Sequence, residues 1–161
     1  MAVDPDSGGI LASELTTTED GDASLVGPLL DQIPAEISAV TADGAYDGDP
    51  VYQAVAERAP DAAVIIPPRV TAVLSDTAET APTQRDRHIQ TIAEKGRLGW
   101  QKAVGYGKRS LVEVAMLRYK TLIGRSLHAR ILPTQKTEAK VACKVINIMT
   151  GLGMPVSCRI A

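Results

Sequence analysis

The first part of the chain consists of short apolar runs separated by segments with helical periodicity. Gly9–Thr16 alternates between apolar and polar residues after a turn-forming run, which predicts a strand preceded by a turn that Asp4 and Asp6 form. The runs ISAVTADGAYD (37–47) and AAVIIPP (62–68) are short and apolar. Both are typical of buried strands.

Two segments between these strands have helical patterns. Residues 22–33 predict a helix with Asp22 as its N-cap. Residues 49–59 predict another, with Asp49 as its N-cap and Pro50 at the first helical position. The order strand, helix, strand, helix, strand predicts an α/β fold with a partly parallel sheet.

The second half of the chain is more helical and more irregular. Residues 68–83 are polar and predict an exposed loop, and residues 85–96 predict a short helix. Tyr106–Lys120 predicts a further helix. Thr134–Gly151 predicts the last one, with its first residue as the N-cap. The tail 154–161 predicts a short strand.

The predicted helix Tyr106–Lys120 (YGKRSLVEVAMLRYK) is largely apolar but carries charges on one side. At about 100° per residue, Tyr106, Arg109, Glu113 and Lys120 fall within a stripe about 60° wide. The opposite side predicts a core face of Leu111, Ala115, Tyr119 and Leu122. A separate polar strip of Ser110, Arg118 and Thr121 is expected to face water. The stripe is either a functional site or an ordinary i, i+4 pair of Arg109 and Glu113.

Composition limits the class of protein. The 161 residues suffice for a single domain, and because Phe is absent the core is expected to be aliphatic. No run has membrane-spanning length, and the N-terminus lacks signal-peptide features. Cys143 and Cys158 have no metal-site spacing, which favours reduced thiols in a cytoplasmic protein. His88 and His128 are isolated and are expected to be surface or cap residues without a role.

Charge is distributed unevenly along the chain. Residues 1–80 hold 15 acidic and 2 basic side chains, whereas residues 81–161 hold 4 acidic and 15 basic ones. This asymmetry predicts a polyanionic partner for the second half, a metal site in the first half, or both. The alternative is that the two halves neutralise each other in the folded protein.

Asp43 follows a predicted buried strand, and functional sites form at the carboxyl ends of strands in open α/β sheets. Its small neighbours Ala42, Gly44 and Ala45 are expected to leave room for a ligand. If Asp43 and Glu113 converge, their carboxylates could hold Mg²⁺, which prefers carboxylate, water and phosphate oxygens. The alternative is that Asp43 begins a turn, since Asp-Gly is a common turn dipeptide.

The spacing of Tyr106, Arg109, Glu113 and Lys120 resembles the signature around the last catalytic carboxylate of bacterial insertion-sequence DDE transposases. In that family Tyr, Arg, Glu and Lys are separated by two, three and six residues. TADGAYD (41–47) resembles the family's segment around its second catalytic Asp. The segments GDASLVGPLLDQI, PDAAVIIPPR, RYKTLIG and GMPVS are also similar to it, so that the resemblance covers essentially the whole chain.

The resemblance implies a ribonuclease-H-like mixed sheet flanked by helices and a role in DNA transposition. The chemistry would be phosphodiester cleavage and strand transfer with Mg²⁺ or Mn²⁺. By the same resemblance Asp43 and Glu113 would be the catalytic metal ligands. Asp47 is a weaker choice for the second Asp.

The resemblance also implies contacts with DNA. Tyr106, Arg109 and Lys120 would contact phosphates near the scissile bond, because Arg and Lys neutralise phosphate and Tyr can bond to it or stack on a base. Basic residues around Trp100 would add to this surface: Lys95, Arg97, Lys102 and Lys108.

The chain departs from the family pattern at its start, because the strand with the first catalytic Asp would lie upstream of Met1. Residues 1–161 are therefore expected to form a single, N-terminally truncated catalytic domain that is inactive alone. Its expected partners are transposon-end and target DNA, together with a second copy of the chain in a homodimer or an intact transposase. No membrane association is expected. The alternatives are a non-catalytic fragment that binds DNA or transposase, as an inhibitor or remnant, and an α/β metabolic domain without DNA affinity.

Overall fold

The computed structural model describes residues 1–17 and 21–153, which form a mixed α/β structure. Its strands and α-helices are β1 (Ala2–Val3), β2 (Ile10–Ala12), α1 (Val26–Leu30), β3 (Ala39–Thr41), α2 (Asp49–Arg58), β4 (Ala63–Ile65), α3 (Gln84–Val104), α4 (Ser110–Leu122) and α5 (Leu132–Gly151). Short 3₁₀ turns span Asp22–Leu25, Gly44–Tyr46 and Tyr106–Arg109. The predicted final strand and Cys158 lie outside the described residues.

The chain divides into two compact units. Unit 1 comprises Met1–Leu15 and Leu111–Ala161, and unit 2 comprises Thr16–Ser110. The α/β class predicted from the sequence is confirmed, whereas the ribonuclease-H-like sheet stays a prediction: the described strands form two sheets of two strands each. Among the described residues, no helix has both the length and the apolar character needed to cross a membrane.

Unit 1 begins with an antiparallel hairpin of β1 and β2, in which Ala2 pairs with Ala12. The Asp4 carboxylate accepts hydrogen bonds from the backbone N–H groups of Asp6 (3.2 Å) and Ser7 (3.1 Å). This is the usual way in which Asp stabilises a turn. The predicted turn and the strand after it are therefore confirmed, although β2 is shorter than predicted.

Helix α5 joins this hairpin to α4 through an aliphatic core. Ile10, Ala115, Cys143 and Ile146 are buried together, with Met1, Val3 and Tyr119 packed against them. The Asn147 side chain forms two 2.8 Å hydrogen bonds with the backbone N–H and C=O of Ile10. These bonds satisfy polar groups of β2 that its hairpin partner does not reach.

Glu14 pairs with two lysines of α5, Lys136 and Lys140. Its carboxylate oxygens lie 2.8 Å from Lys136 Nζ and 3.7 Å from Lys140 Nζ. The hydrogen bond from Lys136, with the charges of both lysines, outweighs the effect of burial and lowers the pKa of Glu14. Part of the positive charge of the second half is thus neutralised within unit 1.

In unit 2, β3 and β4 pair in parallel, with Val40 opposite Val64, which confirms the predicted parallel pairing. Helix α2 connects the two strands and packs against α1. Val51 and Val55 of α2 are fully buried. Strand β3 itself is exposed to partly buried along its length, so the prediction that it is a buried strand was wrong.

Three predicted N-caps were wrong by one to three residues. The 3₁₀ turn before α1 is capped by Gly21, α2 by Gly48 and α5 by Ile131. In α2 and α5 a proline lies in the first turn, where its missing N–H costs nothing. The helices therefore begin earlier than the polar residues predicted as their caps.

Helix α3 has 21 residues and is kinked at Gly96, whose φ of 70° and ψ of 166° are not helical. The helix predicted for residues 85–96 is confirmed as its first arm, and Arg97–Val104 forms a second arm. Only glycine adopts this backbone conformation readily, since a Cβ atom would clash with the neighbouring carbonyl. Gly96 thus ends the first arm without ending the helix.

The segment between β4 and α3 contains turns and no regular element, and most of residues 69–83 are exposed. Asp86, in the first turn of α3, fixes this segment. Its carboxylate accepts hydrogen bonds from the backbone N–H and hydroxyl of Ser75 (both 2.8 Å) and of Thr83 (2.9 and 2.7 Å). Four donors to a buried carboxylate favour its charged form.

These hydrogen bonds predict a loss of stability in acid. The backbone N–H of Ser75 and the Thr83 hydroxyl lower the pKa of Asp86 more than burial raises it. A carboxyl group whose folded pKa is lowered stabilises the protein above its unfolded pKa of about 4, and this contribution is lost as pH falls through the folded pKa. We expect Asp86→Asn to be less stable at pH 7 and to lose less stability between about pH 5 and pH 2.

Urea unfolding across this pH range measures the effect. Ser75→Ala is the matched control, because it removes one hydroxyl donor and leaves the backbone N–H of residue 75 in place. We expect it to keep most of the acid dependence. A wild-type pH slope in Asp86→Asn would contradict the assignment.

Candidate functional site

Asp43 lies two residues after β3 and is the N-cap of the 3₁₀ turn Gly44–Tyr46. Its Oδ1 accepts a 2.9 Å hydrogen bond from the backbone N–H of Ala45, and the residue is half-buried. The structure therefore confirms the predicted position at the carboxyl end of a parallel strand, as well as the role in a turn. The two roles are compatible because one carboxylate oxygen suffices for the cap.

There is less space beside Asp43 than the small size of its neighbours in the sequence predicted. A Cβ atom on Gly44 would lie 3.2 Å from the carbonyl oxygen of Pro67, which follows β4. Glycine at this position thus permits a close approach of two backbone segments. The prediction that Gly44 leaves room for a ligand was wrong on this side, since Pro67 occupies that room.

Asp47 is held in a buried ion pair, and its side chain is 0% exposed. Arg85 Nε and Nη2 donate to Oδ1 (2.7 Å) and Oδ2 (3.0 Å), and the backbone N–H of Arg69 donates to Oδ2 (2.9 Å). Burial alone would raise the pKa of Asp47, but these donors hold it below its ordinary value. Burial and the charge of Asp47 raise the pKa of nearby Tyr52 to about 12.

Both oxygens of Asp47 are therefore used within unit 2. Such a carboxylate stabilises the fold, and a cation bound to it would compete with the positive charge of Arg85 that already neutralises it. This arrangement favours Asp43 over Asp47 as the functional carboxylate of the segment.

Tyr106 packs against Trp100, with ring centroids 5.3 Å apart. Trp100 is 0% exposed, and its Nε1–H donates to His88 Nδ1 (2.9 Å). The other nitrogen of His88, Nε2, lies 2.7 Å from the carbonyl oxygen of Val64 in β4. A connected series of contacts thus runs from β4 through His88 and Trp100 to Tyr106.

The prediction that His88 is a surface or cap residue was therefore wrong. Trp100, the centre of the predicted basic patch, also lies beneath the surface. All four basic residues of that patch are exposed around it: Lys95, Arg97, Lys102 and Lys108. Arg97 Nη2 donates to the carbonyl oxygen of Pro68 (2.9 Å).

The predicted continuous stripe from Tyr106 to Lys120 was wrong in its first part. Tyr106–Arg109, which we call the Tyr106 turn, is a 3₁₀ turn preceded by Gly105 with φ 66°. Residues i and i+3 of a 3₁₀ turn eclipse each other, so Tyr106 and Arg109 still share one side. The Tyr106 turn contacts β3, the strand that leads to Asp43.

The second part of the stripe lies on α4. Glu113 and Lys120 are exposed and, at seven residues apart, lie about 20° from each other around the helix. Ala115 is buried and Tyr119 packs on the core of unit 1, as predicted. Leu122 is 49% exposed, so its assignment to the core was wrong.

Arg118 was predicted to face water but donates to Thr150 Oγ1 (2.7 Å) on α5. This hydrogen bond ties α4 to α5 within unit 1. The predicted polar strip on α4 is therefore partly a helix–helix contact.

The donor chemistry of Asp43 and Glu113 suits a hard divalent cation such as Mg²⁺. Within residues 1–17 and 21–153, no three His, Cys, Asp or Glu side chains lie together in a way that could hold a metal ion. Asp43 belongs to unit 2 and Glu113 to unit 1, so their use as one carboxylate pair stays a prediction.

A family model described as "Transposase DDE domain" matches residues 1–148, which is most of the chain. No solved structure gives a significant match.

The geometry of Asp43 and Asp47 predicts that the same substitution, Asp to Asn, lowers stability strongly at Asp47 and very little at Asp43. Asp47→Asn leaves Arg85 without its ionic partner and should destabilise the protein by about 3 kcal/mol. This value is at the low end of the cost of breaking a buried ion pair, because Arg85 is partly exposed. Asp43→Asn should change stability by less than about 0.5 kcal/mol, since Asn caps a turn about as well as Asp.

Urea unfolding at pH 7 measures both variants, and each serves as the control for the other. Equal losses of stability in the two variants would show that the Asp47–Arg85 ion pair does not have the structural role assigned to it.

Proposed function

The chain belongs to the family of transposases with a DDE domain, and on that basis we propose that it acts in DNA transposition, with Asp43 and Glu113 as catalytic carboxylates. The observation that carries the proposal is local to unit 2. The strand leading to Asp43 contacts the Tyr106 turn, so the second motif of the family resemblance begins beside the strand that leads into the first, although the two are far apart in sequence.

Asp43 and Glu113 are the residues that we propose as ligands of Mg²⁺ or Mn²⁺. Such an ion, when bound, supplies an activated water and neutralises the scissile phosphate during phosphodiester cleavage and strand transfer. In support of this role, Asp43 is half-buried at a strand end and Glu113 is exposed on α4. The turn at Asp43 also fixes its backbone, which orients its carboxylate.

The DNA-binding side chains in this proposal are Tyr106, Arg109, Lys120, Lys102 and Lys108. Lys102, Lys108 and Lys120 are exposed, and Tyr106 and Arg109 are half-buried, so that each has surface available to a phosphate. Arg109 would contact phosphate through its planar fork, and the lysines would act as point charges. We propose transposon-end and target DNA as the partners, with a homodimer or intact transposase as a further one.

The catalytic assignment predicts the effect of two isosteric substitutions on metal-dependent DNA cleavage. The assay compares the chain alone with a form that includes the sequence encoded upstream of Met1, because the family uses three carboxylates and the resemblance matches two of them here. We expect Mg²⁺-dependent nicking of transposon-end DNA by the extended form only. Glu113→Gln and Asp43→Asn should each lower its rate by at least about 100-fold.

Glu94→Gln is the matched control, because Glu94 is exposed on α3 and has no proposed role. Wild-type cleavage rates in Glu113→Gln and Asp43→Asn would exclude both as metal ligands. Cleavage by the chain alone would contradict its expected inactivity. DNA binding without cleavage in any form would favour the non-catalytic alternative.

The DNA-binding assignment predicts a change in salt dependence. Lys102→Glu and Lys108→Glu should each weaken binding to duplex DNA and reduce the slope of log K against log salt by about 1, because each removes a phosphate contact. Fluorescence anisotropy at several salt concentrations measures both quantities.

Lys144→Glu on α5 introduces the same charge change at an exposed residue outside the proposed surface. We expect it to have a smaller effect. Equal effects of all three substitutions would indicate that net charge, and not this surface, determines binding.

A further inference from the structure

We propose that His88 and Trp100 are positioning residues that fix the Tyr106 ring for its contact with DNA. The inference rests on the proposed function for that contact and on the geometry of unit 2 for the positioning. The three side chains form one series that starts at the carbonyl oxygen of Val64 in β4 and ends at the Tyr106 turn.

The partners of His88 fix its chemical form. Trp100 Nε1–H can only donate, so Nδ1 of His88 must be an acceptor without a proton. The carbonyl oxygen of Val64 can only accept, so Nε2 must carry the proton. His88 thus bridges a strand carbonyl and an indole as a neutral imidazole of one tautomer, a role that alanine cannot fill.

The bridge spans the kink of α3. His88 lies on the first arm and Trp100 on the second, with Gly96 between them. In a straight helix, twelve residues correspond to about 18 Å along the axis, too far for a hydrogen bond. The 2.9 Å bond therefore exists only in the kinked form, and it fixes the angle between the arms at a residue whose backbone is otherwise permissive.

The second arm leads directly to Tyr106. It ends at Gly105, whose left-handed φ of 66° turns the chain into the Tyr106 turn. Trp100 on this arm packs on the Tyr106 ring at 5.3 Å with the ring planes inclined by 44°. Because Trp100 is fully buried and bonded, it gives Tyr106 a rigid support, while Tyr106 itself stays half-buried and keeps surface for a ligand.

A double-mutant cycle tests whether His88 acts through Tyr106. The full chain is titrated with a fluorescein-labelled duplex of the transposon end, using wild type, His88→Ala, Tyr106→Ala and the double variant. We expect each single variant to bind several-fold more weakly and the double variant to bind no more weakly than Tyr106→Ala. Additive losses would overturn the proposal, since His88 would then act independently of Tyr106.

Two further variants separate positioning from a general loss of folding. His88→Gln offers one donor and one acceptor and should restore most of the affinity lost in His88→Ala. Trp100→Phe keeps a ring and lacks the N–H, so it should reproduce the loss even if His88→Ala does not fold. His128→Ala, at an exposed histidine of unit 1, should bind as wild type does.

A spectroscopic measurement keeps this inference separate from the proposed function. In NMR spectra, His88→Ala should shift the indole N–H resonance of the single tryptophan and the ring resonances of Tyr106, and leave those of Tyr119 unchanged. If the wild type does not bind DNA, the proposed function fails, whereas these shifts still test the positioning. Unchanged Tyr106 resonances would overturn the proposal in either case.

Discussion

Asp47 is a buried carboxylate, and the arrangement of unit 2 depends on keeping it paired. An unpaired buried charge costs several kcal/mol, so Arg85 and the backbone N–H of Arg69 must stay within hydrogen-bonding distance. Through these bonds three segments are fixed to one another: the turn after Asp43, the chain leaving β4, and the first turn of α3. His88 lies one turn after Arg85, so the same ion pair also sets where the series to Tyr106 begins.

Much of the fold was predictable from local pattern. Apolar runs gave the strands β3 and β4, and helical periodicity gave α2, α4 and α5, because both signals depend only on neighbouring residues. The position of Asp43 at a strand end followed in the same way. The helix starts were less predictable, because Gly21, Gly48 and Ile131 cap them without any side-chain signal.

The candidate site was harder to predict because its supports are distant in sequence. Arg85 reaches Asp47 across 38 residues, and no pattern at either position reveals the partner. His88 and Trp100 would lie far apart on a straight helix, so only the kink at Gly96 makes them neighbours. The Tyr106 turn could not be distinguished from the start of a continuous helix in the sequence, because 3₁₀ and α-helical turns have similar short-range periodicity.

Unit 1 is assembled from the two ends of the described chain, and this has a consequence for synthesis on the ribosome. Residues of unit 2 are contiguous, so its contacts can form as soon as that stretch has emerged. The β1–β2 hairpin leaves the ribosome before unit 2, yet its partner Asn147 follows Ile10 by 137 residues. Until α5 has been synthesised, the apolar face of the hairpin is not covered and the backbone groups of Ile10 lack their hydrogen bonds to Asn147. The apolar face of the hairpin therefore stays uncovered while unit 2 is synthesised, and chaperones that bind apolar segments would have this time to bind it.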